Sequence, residues 1–367
     1  MPDDAGDAAV TGFGVFSTAG EPPRVGFRAS EEIVDLAAAG LGPDFAEPSL
    51  DALLARGRGV WEEAVGRAVE LVAAGEGPRV PLSHATLHPP FTVADYVDFY
   101  SSLEHARNLG RLFRPGQEPL LPNWRWLPVG YHGRAGTVVV SGTDVVRPCG
   151  QLGAPDDGAP VFAPTRRLDV ELELGFVVGV PSAPGEPVPP GAFAEHVFGV
   201  VLVNDWSARD IQAWEYQPLG PFLGKSFQTS ISAWVTPLAL LEGARVEAPV
   251  QQPPPLEQLA GGRDWALDLA LELELNGEVV SRGNARTLYW TMPQQLAHAT
   301  SNGASVRRGD LMASGTISGP EPGSEGSLIE LWQNTRYLAD GDEVVLRGRS
   351  ASVELGEVRG RVLPARG

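Results

Sequence analysis

The segment Leu168-Asp-Val-Glu-Leu-Glu-Leu-Gly-Phe-Val-Val-Gly-Val180 contains the clearest fold signal of the chain. Its second half, residues 175–180, is apolar on both faces, which predicts a strand buried inside a sheet. Glu171 and Glu173 lie two residues apart, so the pleat of a strand directs both carboxylates to one face. Buried carboxylates need a cation or hydrogen-bond donors. We therefore predict a metal-binding role for this pair; the alternative is a solvated strand face.

The same Glu-Leu-Glu pattern occurs a second time and provides an internal comparison. Glu272 and Glu274 lie in Leu267-Asp-Leu-Ala-Leu-Glu-Leu-Glu-Leu275, which leads directly into Asn276-Gly277. An Asn-Gly dipeptide between apolar runs is typical of a two-residue hairpin turn. We expect the carboxylates of Glu272 and Glu274 to face water.

Further short β-rich runs alternate with Gly and Pro turns, which predicts a mainly β (α+β) protein whose larger part is a sandwich or roll. The predicted strands are residues 11–17, 24–27, 33–36, 137–141, 170–180, 197–203, 267–275, 343–346, 353–355 and 358–363. The predicted helices are residues 49–74, 95–112, 207–216 and 291–299. The proline cluster at 78–90 predicts a domain boundary between residues 1–90 and 91–367, and the proline-rich residues 248–262 predict an exposed loop.

Two further carboxylates are candidates for the same site. Asp205 follows the apolar run 197–203 and precedes a helix start, where Ser207 and Asp210 resemble a capping box. Asp205 is therefore either a residue that leads into this helix or a ligand at the end of a strand. In the predicted helix 95–112, Asp98 and His105 would share one face about 10 Å apart. They would be too far apart to bind one ion together, but they could line one pocket.

The identity of a bound ion and of a base is only partly constrained by these positions. Carboxylates from separate segments suit a hard cation with oxygen ligands, Ca²⁺ or Mg²⁺. The single Cys149 excludes an intramolecular disulfide framework and a Cys-rich zinc site. Among the six histidines, His105 is only slightly preferred over His132 as a base.

Lys225 is the one lysine among 28 basic residues, and all the others are arginine. Arginine does not replace lysine where a compact ammonium or an adjustable pKa is needed. The surrounding segment Pro218-Leu-Gly-Pro-Phe-Leu-Gly-Lys-Ser-Phe227 is apolar and rich in turns. This segment predicts that the aliphatic part of Lys225 is buried and that its ammonium faces a cleft. The alternative is that this lysine has been retained by chance and has no functional role.

Composition limits the partners. The formal net charge of −18 argues against nucleic acid and against an anionic membrane surface. The start Met-Pro-Asp-Asp-Ala-Gly-Asp7 is acidic and does not resemble a signal peptide, and no apolar run reaches the roughly 18 residues of a membrane span. We therefore expect a cytoplasmic protein that acts on a small molecule.

Long segments of the chain resemble the fumarylacetoacetase family, in the same order, from about residue 12 to the C-terminus. They are Gly14-Val-Phe-Ser-Thr18, Asp95-Tyr-Val-Asp-Phe-Tyr-Ser-Ser-Leu-Glu-His-Ala106, Leu121-Pro-Asn-Trp124, Leu127-Pro-Val-Gly-Tyr-His-Gly-Arg134, Val203-Asn-Asp-Trp-Ser-Ala-Arg-Asp-Ile-Gln212, Trp214-Glu-Tyr216, Pro218 to Phe227, and Gly309-Asp-Leu-Met-Ala-Ser-Gly-Thr-Ile-Ser-Gly-Pro-Glu-Pro322.

This resemblance implies a fold and an activity. The implied fold is a small N-terminal SH3-like β-barrel domain followed by a C-terminal mixed β-sandwich roll that forms a homodimer. The implied activity is metal-dependent hydrolysis of the carbon–carbon bond of 4-fumarylacetoacetate, a β-diketone, to fumarate and acetoacetate. That reaction is the last step of tyrosine and phenylalanine catabolism.

The resemblance also implies roles for individual residues. The implied metal ligands are Asp98, Glu171, Glu173 and Asp205, with a second cation, usually magnesium, near Asp205, Lys225 and Thr229. His105 would activate water, with Glu330 as its orienting partner. The groups that would meet developing negative charge are Arg114, Gln212 and Lys225, and the remaining implied substrate contacts are Tyr100, Tyr131, Tyr216 and Thr316.

The chemistry of the reaction is consistent with these residue types. A histidine held by a carboxylate can deprotonate water near neutral pH, and preplaced positive charge stabilises a tetrahedral oxyanion. A divalent cation can stabilise an enolate leaving group. The rival functions are another enzyme of the superfamily, such as an acylpyruvate hydrolase or an oxaloacetate decarboxylase, and a metal-stabilised binding protein without turnover. The long N-terminal segment and the implied pair of His105 and Glu330 favour hydrolysis of fumarylacetoacetate over the reactions of the other two enzymes.

Overall fold

The computed structural model describes residues 9–153 and 158–366 of the chain. The acidic start, residues 1–7, lies outside the described residues. The strands are β1 (Val10–Ser17), β2 (Arg24–Ala29), β3 (Glu32–Asp35), β4 (Arg79–Pro81), β5 (Thr86–His88), β6 (Asp95–Phe99), β7 (Gly130–His132), β8 (Val138–Val140), β9 (Val145–Val146), β10 (Cys149–Leu152), β11 (Val161–Pro164), β12 (Leu168–Asp169), β13 (Leu172–Val178), β14 (Val197–Asp205), β15 (Ser207–Ala208), β16 (Thr229–Ile231), β17 (Trp234–Pro237), β18 (Arg245–Val246), β19 (Ala266–Leu267), β20 (Ala270–Leu275), β21 (Glu278–Asn284), β22 (Asp310–Ala313), β23 (Glu343–Arg349) and β24 (Glu354–Leu363). The helices are α1 (Asp51–Leu54), α2 (Arg58–Ala74), α3 (Leu103–Phe113), α4 (Phe193–His196), α5 (Arg209–Glu215), α6 (Met292–Thr300) and α7 (Leu328–Leu331).

The core of the fold is a large sheet built around β13 and β14. Every residue of these two strands is buried. Their Val, Leu and Phe side chains project from both faces of the sheet and pack against other elements. The sheet runs in the order β4-β3-β2-β1-β17-β14-β13-β22-β6-β7, with β5, β8 and β16 paired alongside. The predicted mainly β class is confirmed, and residues 175–179 of the apolar run are buried as predicted, whereas Val180 is half-buried.

The N-terminal strands continue into this sheet. Phe13 of β1 is paired with Val235 of β17. The ring of Phe198 on β14 lies 6.0 Å from Phe13 and 5.4 Å from Trp61 of α2, so the N-terminal elements share a hydrophobic core with the central strands. No closed barrel occurs in the described residues, and the domain boundary at residue 90 stays a prediction.

A second sheet, in the order β21-β20-β23-β24-β9, contains the comparison pattern. Asn276 and Gly277 have φ of 52° and 85°, the left-handed values of a tight hairpin turn, as predicted. Leu271 and its alternate neighbours face the core, so Glu272 and Glu274 face outward, where they pair with Arg282 and Arg347. The outward position is confirmed, although the arginines partly cover the carboxylates.

The predicted helix 95–112 is wrong over residues 95–102. Residues 95–99 form β6, which pairs with β22 in parallel and with β7 in antiparallel orientation. Tyr96, Val97 and Phe99 favour a strand, and the helix begins only after Ser102, whose hydroxyl accepts from the backbone N–H of His105 at 3.4 Å. Asp98 therefore does not share a helical face with His105.

Other boundaries also differ from the prediction. The stretch 49–74 forms two helices, because Gly57 takes φ 80° between them. Residues 354–363 form one strand, β24, where two strands, 353–355 and 358–363, were predicted. The capping box is wrong, since Ser207 belongs to β15 and Asp210 accepts from the backbone N–H of Arg166 at 2.9 Å.

The loop 248–262 is more buried than predicted. The side chain of Gln251 exchanges two hydrogen bonds of 2.9 Å with Gln294 of α6, and Leu259 is buried as well. Among the helices of residues 9–153 and 158–366, none has the length and apolar character needed to cross a membrane.

The shared core predicts that Phe198→Ala destabilises the protein as a whole. Loss of a fully buried phenylalanine costs about 3–5 kcal/mol of unfolding free energy, and here it removes the contact between β14 and the N-terminal elements. Phe162→Ala is the matched control, because that ring is 75% exposed. Denaturant unfolding should show one shifted transition for Phe198→Ala and almost no shift for Phe162→Ala. A wild-type midpoint for Phe198→Ala would contradict the shared core.

Candidate active site

Four carboxylates meet at one end of the central sheet. Asp98 stands on β6, Glu173 stands on β13 with Glu171 directly before that strand, and Asp205 ends β14. Since β13 and β14 are adjacent and only β22 separates β13 from β6, these positions converge. One oxygen of each carboxylate lies within 4.8 Å of the others. We call these four residues the acidic cluster.

The acidic cluster contains buried oxygens that nothing in the described residues satisfies. Glu173 is fully buried, and neither of its carboxylate oxygens has a hydrogen-bond partner there. Asp98 accepts one hydrogen bond, from the backbone N–H of Gly315 at 3.1 Å. Unpartnered buried carboxylates are unstable as anions without a cation, and hard divalent cations prefer oxygen ligands of this type. The residues present therefore fit a divalent cation.

The electrostatics of the cluster divide its members into two groups. Burial raises the pKa of Asp98 and Glu173 well above the usual carboxyl range, and the neighbouring carboxylates raise these pKa values further. Burial would also raise the pKa of Glu171, but the charges of Lys225 and Arg209 outweigh it and hold that pKa below its usual range. A cation that binds here therefore competes with protons for Asp98 and Glu173.

Lys225 lies against the cluster. Its ammonium donates to Asp205 Oδ2 at 2.7 Å and to Glu171, and these carboxylates outweigh the effect of burial, so that the pKa of Lys225 is above its usual value. The hydroxyls of Tyr131 and Thr229 also donate to Asp205, at 2.8 and 3.0 Å. The ammonium lines a cavity, as the sequence predicts, but it is 6% exposed and paired with two carboxylates.

Arg209 is a second buried cation, which the sequence analysis did not single out. Its guanidinium lies 2.7 Å from Glu171 Oε1 and donates to Asp169 Oδ2 at 2.8 Å. Burial would lower its pKa, but the two carboxylates outweigh this effect and raise it. The only sequence signal was its position four residues after Asp205, next to a predicted helix start, where an exposed arginine is the ordinary expectation.

His105 and Glu330 form a buried pair beside the cluster. Nδ1 of His105 lies 2.6 Å from Glu330 Oε2, which leaves Nε2 on the other side of the ring, 4.0 Å from Glu171 Oε1. The carboxylate of Glu330 is held by three further donors, which are Asn108 at 3.0 Å, Ser318 at 3.0 Å and Ser327 at 2.6 Å. Burial would raise the pKa of Glu330, but these donors and His105 hold it below the usual range. The carboxylate of Glu330 is thus held in place within hydrogen-bond distance of the imidazole.

A cavity of about 560 Å³ opens onto this pair and onto part of the cluster. Of the residues that the sequence analysis singled out, those lining the cavity are Asp98, Tyr100, His105, Arg114, Tyr131, Glu171, Gln212, Tyr216, Lys225 and Thr316. Four of the implied site residues do not line the cavity, namely Glu173, Asp205, Thr229 and Glu330. Asp205 is hydrogen-bonded to the lining residues Tyr131 and Lys225, and Glu330 lies within hydrogen-bond distance of His105.

The two ends of the cavity differ in polarity. The inner end has His105, Arg209 and Lys225, while the outer end is apolar, with Phe113, Leu121 and Leu219. In the outer wall, Arg114 donates to the carbonyl of Pro119 at 2.6 Å, and its Nε is buried without a partner in the described residues. The hydroxyl of Thr316 is also buried and unpartnered there. Unused donors at a cavity wall are suited to binding polar groups of a ligand.

Comparisons with known proteins agree with the resemblance of the sequence segments. The family model described as fumarylacetoacetate (FAA) hydrolase C-terminal matches residues 95–363. The chain is 43% identical to the fumarylacetoacetase of Homo sapiens, over 96% of this chain and 95% of that protein. It is 42% identical to the fumarylacetoacetase of Oryza sativa subsp. japonica, over 96% of this chain and 93% of that protein.

A solved structure supports the fold. The fumarylacetoacetate hydrolase of the psychrophilic Exiguobacterium antarcticum superposes with a TM-score of 0.62, covering 96% of this chain and 99% of that one. Its sequence identity with this chain is 20%, so the likeness concerns the fold alone.

The difference between the two Glu-Leu-Glu patterns predicts different effects on cation binding. Glu173→Gln removes a charge from the cluster and should weaken the binding of Ca²⁺ or Mg²⁺ by at least about tenfold, which is roughly 1.4 kcal/mol. Glu274→Gln makes the same chemical change on β20, outside the cluster, and should leave the affinity within about twofold. Isothermal titration calorimetry measures both, and equal effects would show that the ion does not bind at the acidic cluster.

Proposed function

This chain belongs to the fumarylacetoacetate hydrolase family, and on that premise we propose that it hydrolyses 4-fumarylacetoacetate to fumarate and acetoacetate. The observation that supports this most is the pair of His105 and Glu330 at the inner end of the cavity. Nδ1 of His105 is occupied by the carboxylate, so Nε2 is the nitrogen available to a water molecule near the acidic cluster.

The proposed reaction begins at this nitrogen. Nε2 of His105 takes a proton from water, and Glu330 stabilises the imidazolium that results. The hydroxide oxygen forms a bond with the substrate carbonyl carbon that becomes a carboxyl group of fumarate. The carbonyl oxygen then holds the negative charge of a tetrahedral intermediate.

Collapse of this intermediate breaks the carbon–carbon bond. The electron pair of that bond passes to the acetoacetate fragment as an enolate, and the proton held by His105 returns to its carbon, so one water is consumed. A divalent cation bound at the acidic cluster would supply Lewis-acid stabilisation of substrate oxygens.

Three side chains of the cavity wall would meet the negative charges of substrate and intermediate. Lys225 is a fixed ammonium because two carboxylates hold its proton, so we assign it charge stabilisation and not proton transfer. Gln212 supplies an amide donor, and Arg114 can bind a substrate carboxylate through its guanidinium. Tyr100, Tyr131, Tyr216 and Thr316 would complete the contacts to the substrate.

The proposed cation is calcium or magnesium. Asp98, Glu171, Glu173 and Asp205 would hold it, because their oxygens converge and those of Glu173 have no other partner in the described residues. A second magnesium near Asp205, Lys225 and Thr229 is part of the same proposal.

A location in the cytoplasm belongs to the proposal as the expectation from the sequence composition. The family resemblance implies two further features, a homodimer and an N-terminal domain of SH3-like type at residues 1–90. The SH3-like domain is supported by the meander of β1, β2 and β3, in which β4 pairs with β3 and β5 pairs with β1.

The rival enzymes use related substrates, so the substrate has to be tested directly. Loss of the ultraviolet absorbance of the diketone, measured on fumarylacetoacetate and on acylpyruvates, distinguishes them. We expect a kcat/KM for fumarylacetoacetate that exceeds that for acylpyruvates. The reverse order would favour an acylpyruvate hydrolase, and no turnover of any of these substrates would favour a binding protein.

The role of His105 predicts a large kinetic effect. His105→Ala should lower kcat by about 10²–10⁴-fold, the range that general-base loss produces, while the affinity for Ca²⁺ or Mg²⁺ stays within a few-fold. His132→Ala is the matched control, because His132 is exposed on β7 and does not line the cavity. Near-normal turnover of His105→Ala, measured by the same absorbance assay, would remove His105 from the mechanism.

A further inference from the structure

Asp169 is a fully buried carboxylate that lies outside the acidic cluster and does not line the cavity. It stands on β12, two residues before Glu171. Its oxygens accept hydrogen bonds from the backbone N–H groups of Val170 and Leu328 at 2.8 Å and of Ile329 at 3.2 Å, and from Arg209 Nε at 2.8 Å. A buried carboxylate with this many donors has one strongly preferred position.

One set of these contacts leads to the acidic cluster. Asp169 holds one side of the Arg209 guanidinium, and the other side lies 2.7 Å from Glu171 Oε1. Arg209 therefore divides its charge between two carboxylates. If Asp169 did not share it, the whole charge of Arg209 would fall on Glu171 and compete with a cation for that ligand.

The other set of contacts leads to the base. Leu328 and Ile329 are the first residues of α7, whose third residue is Glu330. Asp169 therefore fixes the start of the short helix that presents Glu330 to His105 at 2.6 Å. Ser327, the residue before α7, makes no side-chain hydrogen bond to these two N–H groups. Asp169, on strand β12, accepts hydrogen bonds from both of them.

We propose that Asp169 is a positioning residue that couples the two halves of the site. It holds Glu171 through Arg209 and His105 through α7 and Glu330, so that the base stands at a fixed distance from the acidic cluster. The expected effect on kcat rests on the proposed function. The expected effect on the affinity for Ca²⁺ or Mg²⁺ rests on the cation site at the acidic cluster. Misplacement of reacting groups by about 1 Å can cost roughly 10²-fold in rate, so a small shift at Asp169 should affect turnover without affecting substrate contacts.

Two substitutions test the proposal. Asp169→Glu keeps the charge beside Arg209 but displaces the carboxylate by one methylene, and Asp169→Asn keeps the size but removes the charge. We expect both to lower kcat for fumarylacetoacetate by at least about tenfold with KM within about threefold, because no substrate contact is lost. Only Asp169→Asn should also weaken the binding of Ca²⁺ or Mg²⁺ in calorimetry, by several-fold, because Arg209 then pairs with Glu171 alone.

Asp310→Asn is the matched control. Asp310 is buried, accepts from the backbone N–H of Arg307 at 2.8 Å and pairs with the Arg307 side chain, away from the cavity. Its substitution should lower the melting temperature without changing kcat or cation affinity. If wild-type protein does not hydrolyse fumarylacetoacetate, the proposed function fails, and the cation affinities alone decide on Asp169.

Two results would overturn the inference. The first is that the Asp169 variants have the same kcat and the same cation affinity as Asp310→Asn. The other is failure of both Asp169 variants to fold while Asp310→Asn folds, since Asp169 would then serve stability and not position.

Discussion

The convergence of four buried carboxylates at one end of the central sheet is the constraint on which the rest of the site depends. Like charges at this distance repel in a medium of low dielectric, and the fully buried Glu173 has no hydrogen-bond donor in the described part of the chain. Lys225 and Arg209 neutralise the side of the cluster around Glu171 and Asp205. The side around Asp98 and Glu173 needs protons or a divalent cation, and this explains both the raised pKa values and the fit to a metal.

The base is built into the same arrangement. His105 lies in the first turn of α3, the helix that follows β6. Glu330, which contacts it, lies on α7, more than 200 residues later in the chain. Asp169 contacts both the backbone of α7 and Arg209, so the base and the acidic cluster are fixed relative to each other by hydrogen bonds of one carboxylate. His105, Arg209 and Lys225 at the inner end of the cavity are buried, and charges in a buried environment interact more strongly than they do in water.

Sequence patterns could predict the parts of this site that depend on one strand. The burial of Glu171 and Glu173 followed from an apolar run on both faces, and the outward position of Glu274 followed from the hairpin at Asn276-Gly277. Asp98 was misplaced on a helix, because the predicted helix was extended over Tyr96, Val97 and Phe99, whose residue types favour a strand, and the pairing of β6 with β22 is a tertiary contact. Arg209 and Asp169 were missed for a related reason: each is an ordinary surface residue type whose burial depends on partners from distant segments. The roles of His105 and Lys225 came from the family resemblance and stay predictions.

The number of protons released when a cation binds tests the central claim most directly. Calorimetric titration of metal-free protein with Ca²⁺ or Mg²⁺, in buffers of different ionisation enthalpy near neutral pH, gives this number. Because burial and the neighbouring carboxylates raise the pKa values of Asp98 and Glu173 in the metal-free protein, we predict that cation binding releases protons and that the affinity falls as the pH is lowered. Binding without proton release, at an affinity independent of pH, would contradict a cation site at these buried carboxylates.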